Sequence, residues 1–341
     1  MEKRTTLKDV AARAGVTTAT VSYVLNKKKP ISEETCRRVL KAVDELEYIP
    51  NLAARSLAKK GSGLIGVVIP QTEKGGYLML HNTFYSEILG SIEFSARNQG
   101  YHVLISATDV DEAYFTLAKE RNLDGIIVIG MYRNEFYDQM KKSKIPVVLI
   151  DSYCEDYYFH NIRIDDAYGS YLATEYMIEN GHREIAFFSG QIRENGVMKK
   201  RLLGYEQALS RYKLPFRSKN IIEGRVDYDS GVKMAYSVIN RKSEVTGIVA
   251  AADVLAIGAM KGFADHGYQV PEDISMVGFD DSEIAGYLVP GLTTVRQDIR
   301  KKGERAFALL LKNIQDLALT KREEILPVYL VIRGSVKNMT E

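Results

Sequence analysis

The sequence predicts an α/β protein: a small all-α headpiece followed by a two-lobed part built on doubly wound parallel sheets. Three observations lead there. The first 49 residues carry apolar residues at helical spacing, punctuated by turn signals and without any strand pattern. From Leu64 onward, short apolar runs alternate with helical stretches. That alternation then recurs as a second, similar block. With 341 residues, 45% hydrophobic and 26% charged, the chain is long enough for two or three cores.

The headpiece reads as three helices. In TLKDVAARAG, Thr6 followed by Asp9 forms a capping arrangement, Leu7, Val10, Ala11 and Ala14 share a face, and Gly15 ends the helix. After the turn Ala14, Gly15, Val16, a cap at Thr17 opens TTATVSYVLN, with Val21, Val24 and Leu25 inward. Thr18, Ala19, Ser22, Tyr23 and Asn26 lie on the opposite face. KKKP stops this helix, and ISEETCRRVLKAVDELEYIP starts another from Ser32, with Cys36, Val39, Leu40, Val43 and Leu46 as its stripe. A tight turn between two short helices with a third behind them is a helix-turn-helix, whose second helix fits the DNA major groove.

Charge distribution agrees. The net charge is +2, yet residues 1–62 hold 13 Lys or Arg against 7 Asp or Glu, while the remainder holds 33 against 37. A basic field attracts a polyanion. Small side chains at Thr18 and Ala19 permit close approach to base edges, Ser22 offers a donor or acceptor, and Tyr23 reaches farther.

From Thr6 to Ala58 the string TLKDVAARAGVTTATVSYVLN, the supporting helix and EYIPNLAARSLA resemble the amino-terminal domain of the lac repressor and galactose repressor family. By position, the resemblance puts Thr18, Ala19 and Tyr23 where that family reads bases, and Thr17, Ser22 and Asn26 where it holds the phosphate backbone, with Thr6 beside them. The position of Tyr23 is often arginine in the family, so the operator is expected to differ there. NLAARSLAKK matches the family's hinge, which becomes helical when two subunits lie side by side on DNA. Leu57 would then enter the minor groove as an apolar wedge, with Arg55, Lys59 and Lys60 neutralising phosphates. A plainer alternative packs Leu57 on its own domain.

The larger part runs LIGVVIP, YHVLIS, DGIIVIG and PVVLID as buried parallel strands, then NIRID, EIAFFSG, IIEG, TGIVAA and ISMVGFDD as a second set. LTTVRQ, a helix at about 299–317 and a last strand LPVYLVIRGSV follow. The expected organisation is a headpiece at 1–49, a hinge and linker at 50–62, and an effector-binding and dimerisation domain at 63–341. Its first lobe is expected at about 63–160 plus 292–322, and its second at about 161–291 plus 323–341. Open α/β sheets bind ligands beyond the carboxyl ends of their strands. Asp151 and Asp280 close strands and Asp253 follows one, although a strand-end aspartate is as readily a helix cap. NTFYSEILGSIEFSARNQGY, RLLGY and SMVGFDDSEIAGYLVPGLTTVRQD resemble effector-domain stretches of the same family. The resemblance implies a periplasmic-binding-protein-like clamp in which Arg201 and Asp280 grip the effector and Asp151, Phe84 and Tyr85 line its pocket. Ala252 stands where asparagine is frequent. With no tryptophan in the chain, Phe84, Tyr85 or Tyr132 would stack on a ligand.

Other classes lack their signatures. Cys36 and Cys154 have no metal or disulfide spacing, and the five histidines have none for a metal. GSGLIG precedes a strand instead of following one, so it cannot cradle a phosphate. No catalytic constellation, cofactor motif, export signal or membrane span is present, which argues against an enzyme and against a sugar-binding transport protein. The expectation is a cytoplasmic homodimer that binds palindromic double-stranded DNA under control of a small polar effector, most readily as a repressor.

Overall fold

The computed structural model describes residues 5–26, 30–48, 61–70, 80, 82–108, 113–130, 132, 134–154, 158–194, 196–241 and 244–340. The chain divides into two units, Met1–Ser62 and Gly63–Glu341.

In the first unit, α1 spans Leu7–Ala14, α2 Thr18–Asn26 and α3 Glu33–Glu45. Local chemistry sets each boundary. Thr6 and Asp9 close a capping box at the start of α1, and Gly15 ends that helix at φ 64°, a left-handed backbone that suits glycine. The Thr17 hydroxyl accepts the Thr20 N–H at 3.2 Å, and the Ser32 hydroxyl accepts that of Thr35. Val10, Ala14, Val21, Val39 and Ala42 form the core. Leu40, expected in the stripe of α3, is exposed: it lies about 100° around the helix from Val39, so a stripe through Val39, Ala42, Val43 and Leu46 turns it outward. Tyr48, given no core role by its sequence context, closes the bundle from below at 7% exposure.

The second unit begins with β1 (Leu64–Pro70), α4 (Thr83–Asn98), β2 (His102–Thr108), α5 (Ala113–Glu120), β3 (Gly125–Ile129), α6 (Asn134–Ser143), β4 (Val147–Ile150) and β5 (His160–Ile164). It continues with α7 (Asp166–Glu179), β6 (Ile185–Gly190), α8 (Val197–Arg211), β7 (Ile221–Gly224), α9 (Tyr228–Asn240), β8 (Gly247–Ala250), α10 (Asp253–Ala264), β9 (Ser275–Asp280), α11 (Glu283–Tyr287) and β10 (Thr293–Gln297). Helix α12 (Ile299–Gln315), β11 (Glu323–Leu326) and β12 (Val328–Val331) complete it. Two six-stranded sheets result, in the orders β11-β5-β4-β3-β1-β2 and β12-β10-β9-β8-β6-β7. All pairings are parallel except β10 with β12. Strands β3 and β4 are buried along their whole length, which explains their unbroken apolar sequences.

Three strands sit in the other sheet from the one expected. His160–Ile164 pairs with β4 in the first sheet and does not open the second lobe. Thr293–Gln297 pairs with β9 and stays in the second lobe, so the return to the first begins with α12, which packs on α4, β3 and β4. The stretch expected as a terminal strand, LPVYLVIRGSV, is a strand over Val328–Val331, which joins β10 in the second sheet, while Glu323–Leu326 before it, expected in the second lobe, joins β5 in the first. Burial makes a strand apolar whichever sheet receives it, so the sequence pattern does not record membership. The chain therefore passes between the lobes at three places: after β5, after β10 and between β11 and β12. Helices α7 and α8 meet backbone to backbone at Gly204, where a Cβ would stand 1.9 Å from the Ala167 carbonyl oxygen.

Candidate functional site

At the start of α2 the capping Thr17 and, on the helix, Thr18 and Ala19 are exposed and Ser22 and Tyr23 half-buried, while Val21 is fully buried. A buried face thus holds the helix, and Thr17, Thr18 and Ala19 stand on its exposed side. Thr6 is more committed: its N–H and hydroxyl both donate to the Asp9 carboxylate, at 2.8 and 2.6 Å, so its first role is to start α1. The Asn26 side chain and Arg55, Leu57, Lys59 and Lys60 lie outside the described residues.

Between the two sheets lies a cavity of about 140 Å³. The first lobe contributes Asn82, Phe84, Tyr85 and Asp151, and the second Met198, Arg201, Ala252, Asp280 and Gln297. Phe84 and Tyr85 open α4 under the Asn82 cap and meet edge to face at 5.2 Å. Asp151 and Asp280 each leave a strand end through left-handed backbone, at φ 53° and 120°. Such conformations are disfavoured for a residue with a side chain and persist where surroundings enforce them, commonly at ligand sites.

A buried polar network runs through the cavity walls. The Lys302 ammonium donates to both Asp151 oxygens at 2.8 and 2.7 Å and to the Gln297 side-chain carbonyl, and Gln297 donates onward to Asp280 at 2.6 Å. Asp280 lies 3.7 Å from Arg201. Arg201 donates to Asp166 at 2.8 Å and to the Ala251 carbonyl, with its guanidinium 3.6 Å from the centre of the Phe279 ring. Tyr153, in the segment after β4, donates to Asp166 at 2.7 Å. Since Lys302 and Tyr153 belong to the first lobe and Gln297 and Asp166 to the second, the network spans the cleft twice. Burial pushes the Asp280 carboxyl up to about 6 against the pull of Arg201. Burial likewise raises Asp151, with Lys302 opposing it, and raises Tyr85.

Five of the six residues expected at the effector site converge here: Phe84, Tyr85, Asp151, Arg201 and Asp280. Asp253 does not line the cavity. Its carboxylate accepts the Ser282 N–H at 2.8 Å, the Ser282 hydroxyl at 2.9 Å and the Thr294 hydroxyl at 2.6 Å, which makes it a fastening of α10 to the ends of β9 and β10. Burial, with Asp280 nearby, raises it to about 7. Tyr132 is also absent from the lining; it is buried and stacks on Phe136 at 4.6 Å. Sequence reasoning missed Lys302, Gln297 and Asp166. A signal existed for Lys302, which occupies the apolar stripe Ile299, Lys302, Ala306, Leu310 of α12, where a lysine requires a partner.

Residues 6–51 match the lacI family of bacterial regulatory proteins, and residues 174–336 match a periplasmic binding protein-like domain. The chain is 35% identical to the HTH-type transcriptional repressor PurR of Vibrio parahaemolyticus serotype O3:K6 (strain RIMD 2210633) over 340 residues, covering 98% of this chain and 99% of that protein. Among solved structures it resembles the lac repressor dimer bound to operator and the anti-inducer ONPF, with a TM-score of 0.83 and 29% identity over 98% of this chain and all (100%) of that one. It also resembles the transcriptional regulator CelR in complex with cellobiose, with a TM-score of 0.73 and 26% identity over 97% of this chain and 100% of that one. Among the described residues no helix is long and apolar enough to cross a membrane.

Proposed function

The chain belongs to the LacI family of bacterial regulatory proteins and is a ligand-controlled, DNA-binding transcriptional repressor; on that premise we propose how its residues divide the work. The outer face of α2 reads a palindromic operator as a homodimer, with Thr18, Ala19 and Tyr23 toward bases and Thr6, Thr17, Ser22 and Asn26 toward phosphates. The segment 50–62 is the hinge, in which Leu57 wedges the minor groove and Arg55 and Lys60 offset phosphate charge. A small polar effector, a sugar or similar metabolite, sits between the lobes against Phe84, Tyr85, Asp151, Arg201 and Asp280. The protein acts in the cytoplasm.

One observation carries the effector half of this reading: Asp151 from the first lobe and Arg201 and Asp280 from the second face a single cavity, in whose walls a polar network crosses between the lobes twice. A ligand inserted there exchanges bonds with both lobes, and so biases their relative angle and, through the paired hinges, operator affinity. A coupling of about 1–3 kcal/mol is typical of such control. The test is a mobility-shift assay on promoter fragments, repeated with neutral sugars and nucleobases. A metabolite that alters operator retention in the wild type and does nothing in Phe84→Ala supports the assignment; equal retention of every duplex, with no response to any metabolite, sinks it.

A further inference from the structure

Along the outer edge of the second sheet, two hollows of about 370 and 320 Å³ share Ile222 and Arg241 and so join into one groove, and none of their lining residues borders the cleft cavity. One wall is β7. Among the described residues this strand pairs only with β6, so it ends the sheet and turns one row of backbone N–H and C=O groups outward. The floor is apolar, formed by Ile222 with the buried Met234 and Val238 of α9. The opposite rim is basic. Lys233 on α9 and Arg241 at its C-cap are both exposed and stand eight positions apart on one face, about 12 Å at the rise of a helix, with Ser237 midway. Arg241 donates from Nη1 to the Lys219 carbonyl at 3.1 Å, which steadies the guanidinium and engages one of its five N–H groups. Two carboxylates share the lining. Glu223 already accepts the Ile192 N–H at 2.9 Å, and Glu244 lines only the second hollow, where Lys219 accompanies it.

We propose that this groove docks an extended acidic segment of a partner protein, which adds as a strand to β7 and sets two carboxylates, four residues apart, against Lys233 and Arg241. The spacings agree. Side chains two apart share a face of a strand, and each residue rises about 3.3 Å, so carboxylates four apart stand about 13 Å from one another, against about 12 Å between the two cations. The side chain midway between them faces Ile222, Met234 and Val238, where an apolar residue fits. Main-chain pairing at the strand edge supplies affinity, and the alternate side chains supply selectivity. A lone phosphate or carboxylate reaches only one of the two cations and leaves the floor and the strand edge uncovered.

Fluorescence anisotropy of the full chain with a labelled, capped peptide of about nine residues, bearing glutamates four apart and a valine midway, tests this. The same composition with its glutamates adjacent, and a peptide with lysines in their place, should each bind at least about tenfold more weakly. N-methylation of alternate amides blocks one edge of the peptide, so one of the two possible patterns should weaken binding by a similar factor. Lys233→Glu should weaken the glutamate peptide about five- to tenfold, the worth of an exposed ion pair and of the repulsion that replaces it. A peptide with lysine at the matching position should recover that loss in Lys233→Glu alone, which separates lost docking from a misfolded variant. Hydrogen exchange at residues 221–224 should slow when the glutamate peptide is bound. Silence of the glutamate peptide, equal binding of the rearranged peptide, indifference to both N-methylation patterns or to Lys233→Glu, or unchanged exchange in β7 overturns the proposal. Inorganic phosphate that competes as strongly as the peptide itself marks a small-anion site and overturns strand addition.

Discussion

Lys302 and Asp151 meet at 2.7 and 2.8 Å inside the protein, fastening α12 to the end of β4 at the point where the chain has just returned from the second lobe. The Lys302 side chain is fully buried and has no water as an alternative partner. Lys302→Met should therefore strand a buried carboxylate and cost about 3–5 kcal/mol, whereas Asp151→Asn/Lys302→Met, with no charge left to strand, should recover most of that loss. Denaturant unfolding of wild type, both single variants and the double variant gives the cycle. Additive losses would show that the two groups do not depend on each other.

Asp253 predicts a different phenotype from Asp151, although both follow apolar strands. Asp253→Ala leaves the Ser282 N–H and the Ser282 and Thr294 hydroxyls without their acceptor. The expected cost is on the order of 3 kcal/mol. Affinity of the folded fraction for an effector should hardly change, because this carboxylate does not line the cavity. Calorimetric unfolding together with ligand titration separates the two effects, and a stable variant with lost ligand affinity would return Asp253 to the cleft.

That contrast marks how far the sequence was legible. Runs such as DGIIVIG announce themselves because a parallel strand covered on both faces must be apolar throughout, and the caps at Thr6, Thr17 and Ser32 follow from chemistry within three residues. Sheet membership of β5, β10 and β11 depends on partners far along the chain, and the polar EEIL of edge strand β11 carries no apolar run at all. Asp151 and Asp253 look alike locally; what separates them is Lys302 in one case and Ser282 with Thr294 in the other, all distant in sequence. The strand-end aspartates Asp151 and Asp280 are therefore legible in the sequence, while Gln297 at the end of β10 and the buried Lys302 behind Asp151 are not.

Asp280 gives a pH dependence with a definite sign. Burial raises its carboxyl from an ordinary 3.8 to about 6, so the folded state holds the proton more tightly than the unfolded chain. Its contribution is most favourable below about pH 4, the ordinary unfolded value, and is lost as pH rises to about 6. Measured against Asp280→Asn, which keeps an acceptor for Gln297, the wild type should gain about 1–3 kcal/mol in relative stability as pH falls from neutral to about 4. A relative stability that stays flat or moves the other way would place the ionised carboxylate in a more favourable setting than its burial implies.

Leu57 and Arg55 should separate wedge from charge. On the proposed reading, Leu57→Ala removes the wedge and with it the contact that a bent site gains, and should weaken operator binding by about ten- to a hundredfold, with the salt dependence and the melting temperature nearly unchanged. Arg55→Ala should flatten the slope of log K against log salt by about 0.9 for each phosphate it leaves without a counter-charge. Fluorescence anisotropy over a salt series reads both. A large fall in melting temperature for Leu57→Ala would favour packing on its own domain over insertion into DNA.

Tyr23 stands on the outer face of α2, half-buried above a fully buried Val21, so its replacement need not disturb the headpiece core. Family members frequently carry arginine at this position, and a guanidinium pairs with two acceptors of guanine where a phenol offers one hydroxyl. Tyr23→Arg should therefore create a preference for guanine at one position in each half-site, worth about 1–3 kcal/mol per half-site, while overall affinity for unrelated DNA rises only by the added charge. Selection from a randomised operator library with wild type and variant reads the change directly. Should the variant enrich the same half-site as the wild type, Tyr23 does not face base edges, and the register of α2 in the groove must be turned toward Thr18 and Ser22.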